Sequence, residues 1–165
     1  MRKGLFLGIG LVVAVGGWLA FRPELLFVDK EVSESLPGAA ADSGDRMAEP
    51  RTIASGKFHD GAHKTSGTAA ILAFAGGQRI LRLADFSTSN GPDVQVYLGV
   101  APDALDSETV TRAGFVRLGA LKGNVGDQNY EIPADVDLSK YHSVTIWCQR
   151  FGVNFGTAPL VGAAR

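Results

Sequence analysis

Hydrophobic and polar positions alternate along most of the chain after residue 53, which is the two-residue period of β-strands. In residues 93–99, DVQVYLG, two valines and a leucine fall on one face and polar residues and a tyrosine on the other. Two apolar runs, TAAILAFA and QRILRLADF, flank Gly76 and Gly77, and paired glycines supply the positive φ angles of a tight turn. These patterns predict an antiparallel hairpin followed by a further strand.

Further segments combine β-branched and aromatic residues in runs of strand length, with the sequences FVRLGAL, NYEIP, SVTIWCQ and VNFGTA. Between the first two, glycine, asparagine and aspartate favour turns. Only residues 101–110, APDALDSETV, have helical character. We therefore predict that residues 53–165 form an all-β domain, an antiparallel β-sandwich, with a small barrel as the alternative.

The N-terminus differs from the rest of the chain because an uncharged, largely apolar run over residues 4–21 follows Arg2 and Lys3. This run is near the lower length limit for a helix that spans a bilayer. The bulky sequence WLAFRPELLF at its end does not resemble a signal-peptide cleavage site. We predict a transmembrane signal anchor at residues 4–22, with residues 1–3 in the cytoplasm.

Positive charge before the helix favours a cytoplasmic N-terminus, so we expect the rest of the chain outside the cytoplasm, in the periplasm or at the cell surface. Residues 23–52 follow the anchor and include PGAAADSGDRMAEPRT, which is small, polar and bounded by proline. This composition predicts a flexible spacer. The predicted organisation is a single-pass membrane protein that carries a tethered sandwich.

Composition and charge exclude several classes of function. The net charge of -1 over 165 residues offers no basic face for a nucleic acid. One cysteine cannot form an intramolecular disulfide, a CxxC motif, the CxxCH of c-type haem or a four-cysteine iron–sulfur site. The sequence also has no GxSxG, phosphate loop or dinucleotide fingerprint. These features favour a redox accessory or a binding module over an enzyme.

The single cysteine, Cys148, lies near the end of the predicted strand SVTIWCQ. Strand parity puts it on the same face as Val144 and Ile146, which a sandwich would bury. A thiol buried in apolar surroundings is inert, whereas the end of a strand lies near loops, where sites are often built. Three interpretations stay open: core filler, a functional thiol, or a cysteine that pairs with another molecule.

His59, Asp60 and His63 lie in one short segment, KFHDGAHKTSG, and are weak candidates for a metal site. Blue copper is not expected, because no histidine or methionine follows Cys148. We predict no metal, and we interpret His59 as a surface residue.

Asp85 and Asp93 flank the loop DFSTSNGPD. Aspartates around a Ser/Asn/Gly turn usually form and cap the turn. They are also placed where a loop could use them to bind a ligand. We keep Asp85 and Asp93 as weak candidates for ligand binding.

Short motifs spread from about Gly56 to Leu160 carry a resemblance to a known family. They are Gly56-Lys57-Phe58, His63, Ser66-Gly67, Leu83-Ala84-Asp85-Phe86, Gly91-Pro92-Asp93, Val96-Tyr97-Leu98, Leu118-Gly119, Leu121-Lys122-Gly123-Asn124, Gly126, Gln128, Tyr130, Ile132-Pro133, Tyr141, Ser143-Val144, Ile146-Trp147-Cys148 and Phe155-Gly156. With these residues the segment resembles the DM13 domain. The anchor and the sequence FRPELLFVDKEV also resemble the single-anchor bacterial members of that family.

The resemblance implies a β-sandwich related to DOMON domains and a role in electron transfer, with one cysteine as the suspected redox group. Cys148 occupies that position, and His63 is a candidate neighbour. DOMON relatives that carry haem use methionine and histidine ligands, but residues 53–165 contain no methionine. No haem is therefore expected, and no other cofactor is predicted.

The leading hypothesis is a membrane-tethered, extracytoplasmic redox or electron-transfer accessory that uses Cys148. The alternative is a non-catalytic module whose loops, near residues 85–93 and 122–128, bind a ligand or a partner. Both hypotheses imply a protein or small-molecule partner, which the sequence does not name.

Overall fold

The structure, a computed structural model, describes residues 28–37 and 49–162, together with Leu11 and Gly16, which are helical. In this part of the chain eleven strands form two sheets. The strands are β1 (Glu31–Ser33), β2 (Arg51–Lys57), β3 (His59–Asp60), β4 (Ser66–Ala73), β5 (Arg79–Ser87), β6 (Val94–Gly99), β7 (Phe115–Ala120), β8 (Val125–Glu131), β9 (Ser143–Cys148), β10 (Val153–Pro159) and β11 (Val161–Gly162). A short helix, α1 (Ser107–Ala113), follows β6, and a 3-10 helix (Leu138–Lys140) precedes β9.

The larger sheet, sheet A, has the order β1-β8-β5-β4-β2-β11, and sheet B has the order β3-β10-β9-β6-β7. Neighbouring strands are antiparallel except for β1 and β8, which are parallel. The predicted all-β sandwich is thus confirmed for the described residues. The barrel alternative is wrong, because the strands belong to two separate sheets.

The hairpin predicted around the paired glycines joins β4 to β5. Gly76 and Gly77 have φ angles of 86° and 89°. The Phe74 N–H donates to the Gln78 carbonyl oxygen at an N···O distance of 2.9 Å, which closes the turn. Glycine reaches these φ angles without the clash that a Cβ would make. Here the local sequence alone determines how two strands meet.

The core lies between the two sheets and is filled by the inward side chains of their central strands. Sheet A contributes Leu81 and Leu83, and sheet B contributes Val96, Leu98 and Ile146. The apolar residues that alternate along β6 and along β9 all belong to this cluster. The face predicted from parity is therefore confirmed for both strands.

The opposite face of sheet B is buried as well, which the alternating pattern did not indicate. Tyr97 and Trp147 on that face pack with Ala104 and Val110 from the segment between β6 and β7. All residues of β6 and β9 are consequently buried. Two central strands thus have no solvated face.

Side-chain hydrogen bonds fasten the covering segment to sheet B. Ser143 Oγ donates to the Ala101 carbonyl oxygen at 2.7 Å, and Asn154 Nδ2 donates to the Ala104 carbonyl oxygen at 2.8 Å. The helix predicted at 101–110 is therefore shifted. Residues up to the N-cap Asp106 form a loop that lies on the sheet, and the helix follows it.

Residues 28–37, which the sequence assigned to the spacer, lie along the edge of sheet A. Val32 of β1 is opposite Gly126 of β8. A Cβ on Gly126 would lie 2.1 Å from the Val32 carbonyl oxygen, and one on Gly123 would lie 2.3 Å from the Lys30 carbonyl oxygen. The two glycines, interpreted as turn residues from the sequence, therefore let β1 approach β8.

The predictions for the N-terminus concern residues that lie largely outside the described part of the chain. In the part of the chain that the structure describes, no helix combines the length and apolar character needed to cross a membrane. The predicted tail (1–3) and anchor (4–22) lie outside the described residues, apart from Leu11 and Gly16. The anchor and the membrane location stay predictions. The second strand, β2, starts at Arg51, slightly before the predicted boundary, and β1 adds residues of the predicted spacer to sheet A.

The close approach of β1 to Gly126 can be tested by comparing the stability of Gly126→Ala with that of Gly76→Ala, a glycine in an open turn. We expect Gly126→Ala to lower the free energy of unfolding by about 2 kcal/mol or more, because it adds a clash with β1 to the cost of a positive φ angle. Gly76→Ala has a similar φ cost but no atom within 4 Å of the new Cβ. It should lose only about 1 kcal/mol. Urea unfolding of the full chain measures both, and equal losses would contradict the close approach of β1.

Candidate functional site

A cavity of about 480 Å³ lies at the end of the sandwich where β6 begins. Three stretches of chain form it. They are residues 89–95, residues 120–124, and the spacer residues Val28 and Lys30. The loops considered for ligand binding, before β6 and between β7 and β8, thus meet in space at one opening.

The cavity wall combines apolar and charged side chains. Val94 and Leu121 line it together with Asp93 and Gln95. The Gln95 amide connects two charges, because its Nε2 donates to the Asp93 carboxylate and its Oε1 accepts from Arg117 Nε at 2.9 Å. This chain of hydrogen bonds holds Asp93 in position at the cavity.

The buried amide of Asn124 ties the cavity loops to the spacer. Its Oδ1 accepts from the Lys30 N–H at 2.7 Å. Its Nδ2 donates to the Asp29 carboxylate at 2.7 Å and to the Thr88 carbonyl oxygen at 3.1 Å. One side chain therefore joins the loop after β5, the loop before β8 and the segment before β1.

The fully buried amide of Gln128 fixes the β7–β8 loop by hydrogen bonds to its backbone. Its Nε2 donates to the Gly123 carbonyl oxygen at 2.8 Å, and its Oε1 accepts from the Lys122 N–H at 3.1 Å. The Tyr130 hydroxyl also donates to that Oε1, at 2.8 Å. Burial raises the pKa of Tyr130, outweighing the opposing hydrogen bond from the Lys122 N–H. The phenol therefore stays a donor at neutral pH.

An ion pair at the edge of sheet A holds the spacer after β1. Lys122 Nζ donates to both carboxylate oxygens of Glu34, at 2.8 and 2.9 Å. Burial disfavours the charged form of Glu34, but hydrogen bonds from Lys122 and the Asn129 N–H, with the charges of Lys122 and Arg82, outweigh burial. The pKa of Glu34 lies below its usual value, so the carboxylate is ionised at neutral pH.

Cys148 is 0% exposed at the end of β9. It is paired with Val94 on β6 and with Val153 on β10. Residues opposite each other in an antiparallel pair direct their side chains to the same face, with Cβ atoms about 4.5–5.5 Å apart. Because Val94 also lines the cavity, the thiol shares a sheet face with a residue of the cavity wall.

His63, the candidate neighbour of the thiol, contacts the aromatic ring of Phe155. Its ring centroid is 3.9 Å from that of Phe155. Phe155 belongs to the same core cluster as Cys148. A Cβ on Gly91, in the cavity loop, would lie 3.0 Å from the Phe155 ring. Phe155 thus stands between His63 and the loop that lines the cavity.

The other candidate metal ligands have partners within the protein. His59 Nε2 lies 2.7 Å from a carboxylate oxygen of Asp103, and the Asp60 carboxylate accepts from the Thr65 N–H at 2.8 Å. Within residues 28–37 and 49–162, no three His, Cys, Asp or Glu side chains are grouped to hold a metal. His59, Asp60 and His63 are not brought together as ligands.

The two candidate aspartates lie in different environments. Asp93 lines the cavity. Asp85 is exposed in an irregular part of β5, with a φ angle of 49°, a region that aspartate enters more readily than most residues. Its N–H donates to the Asp127 carboxylate at 2.9 Å. Asp85 therefore belongs to the contact between β5 and β8 and does not line the cavity.

Sequence reasoning did not identify Lys30, and it named the loop near residues 122–128 without singling out Asn124 and Gln128. Lys30 lay in a segment interpreted as spacer. Asn124 and Gln128 lie in the sequence KGNVGDQNY, whose polar residues suggested a turn. Their burial, at 3% and 0% exposure, is the signal that identifies them.

A family model described as electron transfer DM13 matches residues 57–160, more than half of the chain. The chain belongs to the DM13 family. No curated protein and no solved structure matches it. Family membership confirms the resemblance drawn from the sequence motifs and supports a redox-related role for the DM13 domain.

The DM13 segment contains Cys148 and two of the three stretches that line the cavity. The third stretch, with Val28 and Lys30, precedes the matched residues. The cavity is therefore made by the DM13 domain together with chain that lies outside the family match.

The contact between His59 and Asp103 predicts a pH dependence of stability. Burial disfavours the His59 cation, but hydrogen bonds to the Asp60 carbonyl oxygen and to Asp103, with the charge of Asp103, raise the pKa of His59 above 6.5. The contact should stabilise the fold by up to about 1 kcal/mol below pH 6.5, and this should be lost as pH rises through the folded-state pKa.

Unfolding of the wild type and of His59→Gln at pH 5.5 and pH 8.5 measures the effect. The difference in free energy of unfolding should be larger at pH 5.5, and Asp103→Asn should reproduce it. A difference that is the same at both pH values would show that the ion pair contributes nothing.

Proposed function

We propose that this DM13 protein is an electron-transfer accessory, held outside the cytoplasm by an N-terminal membrane anchor, with Cys148 as its redox group. The observation that carries the proposal is the pairing of Cys148 with Val94, a residue of the cavity wall. The thiol is buried at the end of a strand, paired with a residue that also lines an open cavity. Family membership supports the redox character of the role.

A lone thiol limits the chemistry. Without a second cysteine in the chain, reversible oxidation leads to a sulfenic acid or to a mixed disulfide with another molecule. With a hydroperoxide, one oxygen atom passes to sulfur and an alcohol or water leaves. Two external thiols then return Cys–SOH to Cys–SH, with release of water and formation of their disulfide. Either route requires a reagent to reach the buried sulfur.

Access to the thiol is therefore the first property to measure. Any modification by a thiol reagent reports on Cys148, because the chain has one cysteine. We expect modification of the native full chain to be at least about a thousandfold slower than that of the unfolded chain, as for groups exposed only by opening. We expect Val94→Ala to raise the native rate about tenfold, because it removes two methyl groups from a side chain that neighbours the thiol and leaves extra space beside the cavity.

Val144→Ala is the matched control. Val144 is fully buried on the same face of β9 but does not line the cavity. It loses the same atoms and should affect the rate only through global stability, which urea unfolding measures separately. If Val94→Ala and Val144→Ala have equal rates after this correction, the cavity is no path to Cys148 and the thiol is core filler.

A second candidate function is a non-catalytic binding module. The complete burial of Cys148 and the open cavity formed by three separate stretches favour it. In that case Cys148→Ala should leave partner binding unchanged, whereas substitutions in the cavity loops should weaken it. Cys148→Ala thus distinguishes the two functions, because it should abolish a redox role and leave binding by the cavity loops intact.

The anchor is tested by fractionation. We expect the full chain to stay in the membrane pellet after carbonate extraction and to be digested by protease added outside the cell or spheroplast. A chain lacking residues 1–27 should leave the membrane fraction. Recovery of the full chain in the soluble fraction would remove the tether from the proposal.

A further inference from the structure

We propose that the cavity binds a small amphipathic molecule with one anionic group and one hydrogen-bond donor, and that the docked spacer completes the site. This inference rests on the chain acting as a binding module. It does not depend on the reactivity of Cys148.

The size and apolar part of the cavity suit a small organic molecule. Its volume of about 480 Å³ lies within the range of about 300–1,000 Å³ found for ligand sites. Pro92, Val94 and Leu121 supply apolar walls. Small-molecule sites usually combine such walls with a few placed polar groups.

The charges around the cavity identify the anionic part of the ligand. Lys122 is neutralised by Glu34, and Arg117 and Asp93 are bridged by the Gln95 amide. Lys30 is an exposed residue of the cavity lining, and its ammonium has no ion pair or hydrogen bond among the described residues. It is therefore the cation of the lining that lacks a counter-charge in the described part of the protein, and an anionic ligand group would supply one.

The carboxylate of Asp93 requires a different group at its side of the cavity. A second anion there would be repelled, whereas a hydroxyl or N–H of the ligand could donate to the carboxylate. The ligand should thus carry its anionic group toward Lys30 and a donor toward Asp93. Its apolar body would lie against Val94 and Leu121.

The spacer determines whether this site exists. The Lys30 N–H is bound by Asn124, and the Val28 carbonyl oxygen accepts from Asn90 Nδ2 at 2.7 Å. Both spacer residues are part of the cavity wall only while these bonds are made. The apparent dissociation constant should therefore rise in proportion as the docked fraction falls, and the ligand should in turn stabilise the docked spacer.

Calorimetric titration of the full chain with sodium 4-hydroxybenzoate tests the proposal, since this probe has a ring, one carboxylate and one hydroxyl. Three comparison probes each change one feature. Phenol lacks the anionic group, acetate lacks the ring, and benzylamine carries a positive charge in place of the negative one. We expect 4-hydroxybenzoate to bind at least about tenfold more tightly than each of these, the value of one charge-assisted contact.

Three variants locate the site. Lys30→Gln should weaken 4-hydroxybenzoate about tenfold and leave phenol unchanged, whereas Lys57→Gln, at an exposed lysine of β2, should change neither. Gly126→Ala displaces β1 without touching the cavity lining and should weaken every probe that binds.

Equal affinity of wild type and Lys30→Gln for 4-hydroxybenzoate, or no binding of it at all, would overturn the anionic ligand. If the probes then bind but Gly126→Ala leaves them unaffected, the spacer has no part in the site. Preferred binding of benzylamine would overturn the ligand class while keeping a binding module. None of these results bears on thiol reactivity, so failure here is distinguishable from failure of the redox role.

Discussion

The side-chain amides of Asn124 and Gln128 are the interactions on which the end of this sandwich depends. A buried amide that lacks partners is costly, so each must keep its hydrogen bonds to the backbone. Asn124 reaches the loop after β5 and the spacer, and Gln128 fixes the loop that contains Gly123. The cavity has a defined shape because Asn124 binds two other chain segments and Gln128 binds the backbone of the loop before β8.

The same end of the molecule brings together the features that bear on function. Cys148 lies in the core, and Val94 is paired with it at the start of β6. Val94 and the cavity loops line the opening at the same end of the sandwich. The thiol is deep in the core, and the cavity is open. Family membership favours a function for the thiol, whereas the geometry favours a function for the cavity. Val94 is paired with Cys148 and also lines the cavity.

The sequence predicted what short-range patterns determine. The glycine turn at Gly76, the parity of β6 and the inward face of Cys148 follow from two-residue periodicity and turn chemistry. The coverage of sheet B by residues 100–114 did not follow, because alternation of valine with tyrosine or glutamine does not distinguish a solvated face from one covered by a loop. The helix was predicted too early for a related reason, since residues 101–106 form a loop that covers sheet B and the helix begins only after Asp106.

The candidate site was harder to predict because its contacts join distant parts of the chain. Glu34 and Lys122 are 88 residues apart, and neither has a local pattern that indicates the other. Gly123 and Gly126 resemble turn residues, but the close approach of Lys30 and Val32, which are distant in sequence, also requires them to be glycine. Asp93 lies at the cavity, whereas Asp85 is exposed in an irregular part of β5, where its N–H donates to Asp127 of β8.

The position of β1 also affects how the domain behaves among other chains. An uncovered edge strand presents unpaired N–H and C=O groups that can recruit strands from neighbouring molecules. β1 covers the outer edge of β8, and at three residues it is itself too short to offer much of a template. A fragment cut at the start of the family match would lose β1, which pairs with residues 125–127 of β8, and nearly all of β2, so the edges of β8 and β4 would both be exposed. The segment that leads to the proposed membrane anchor therefore also covers part of an edge at which neighbouring molecules would otherwise pair.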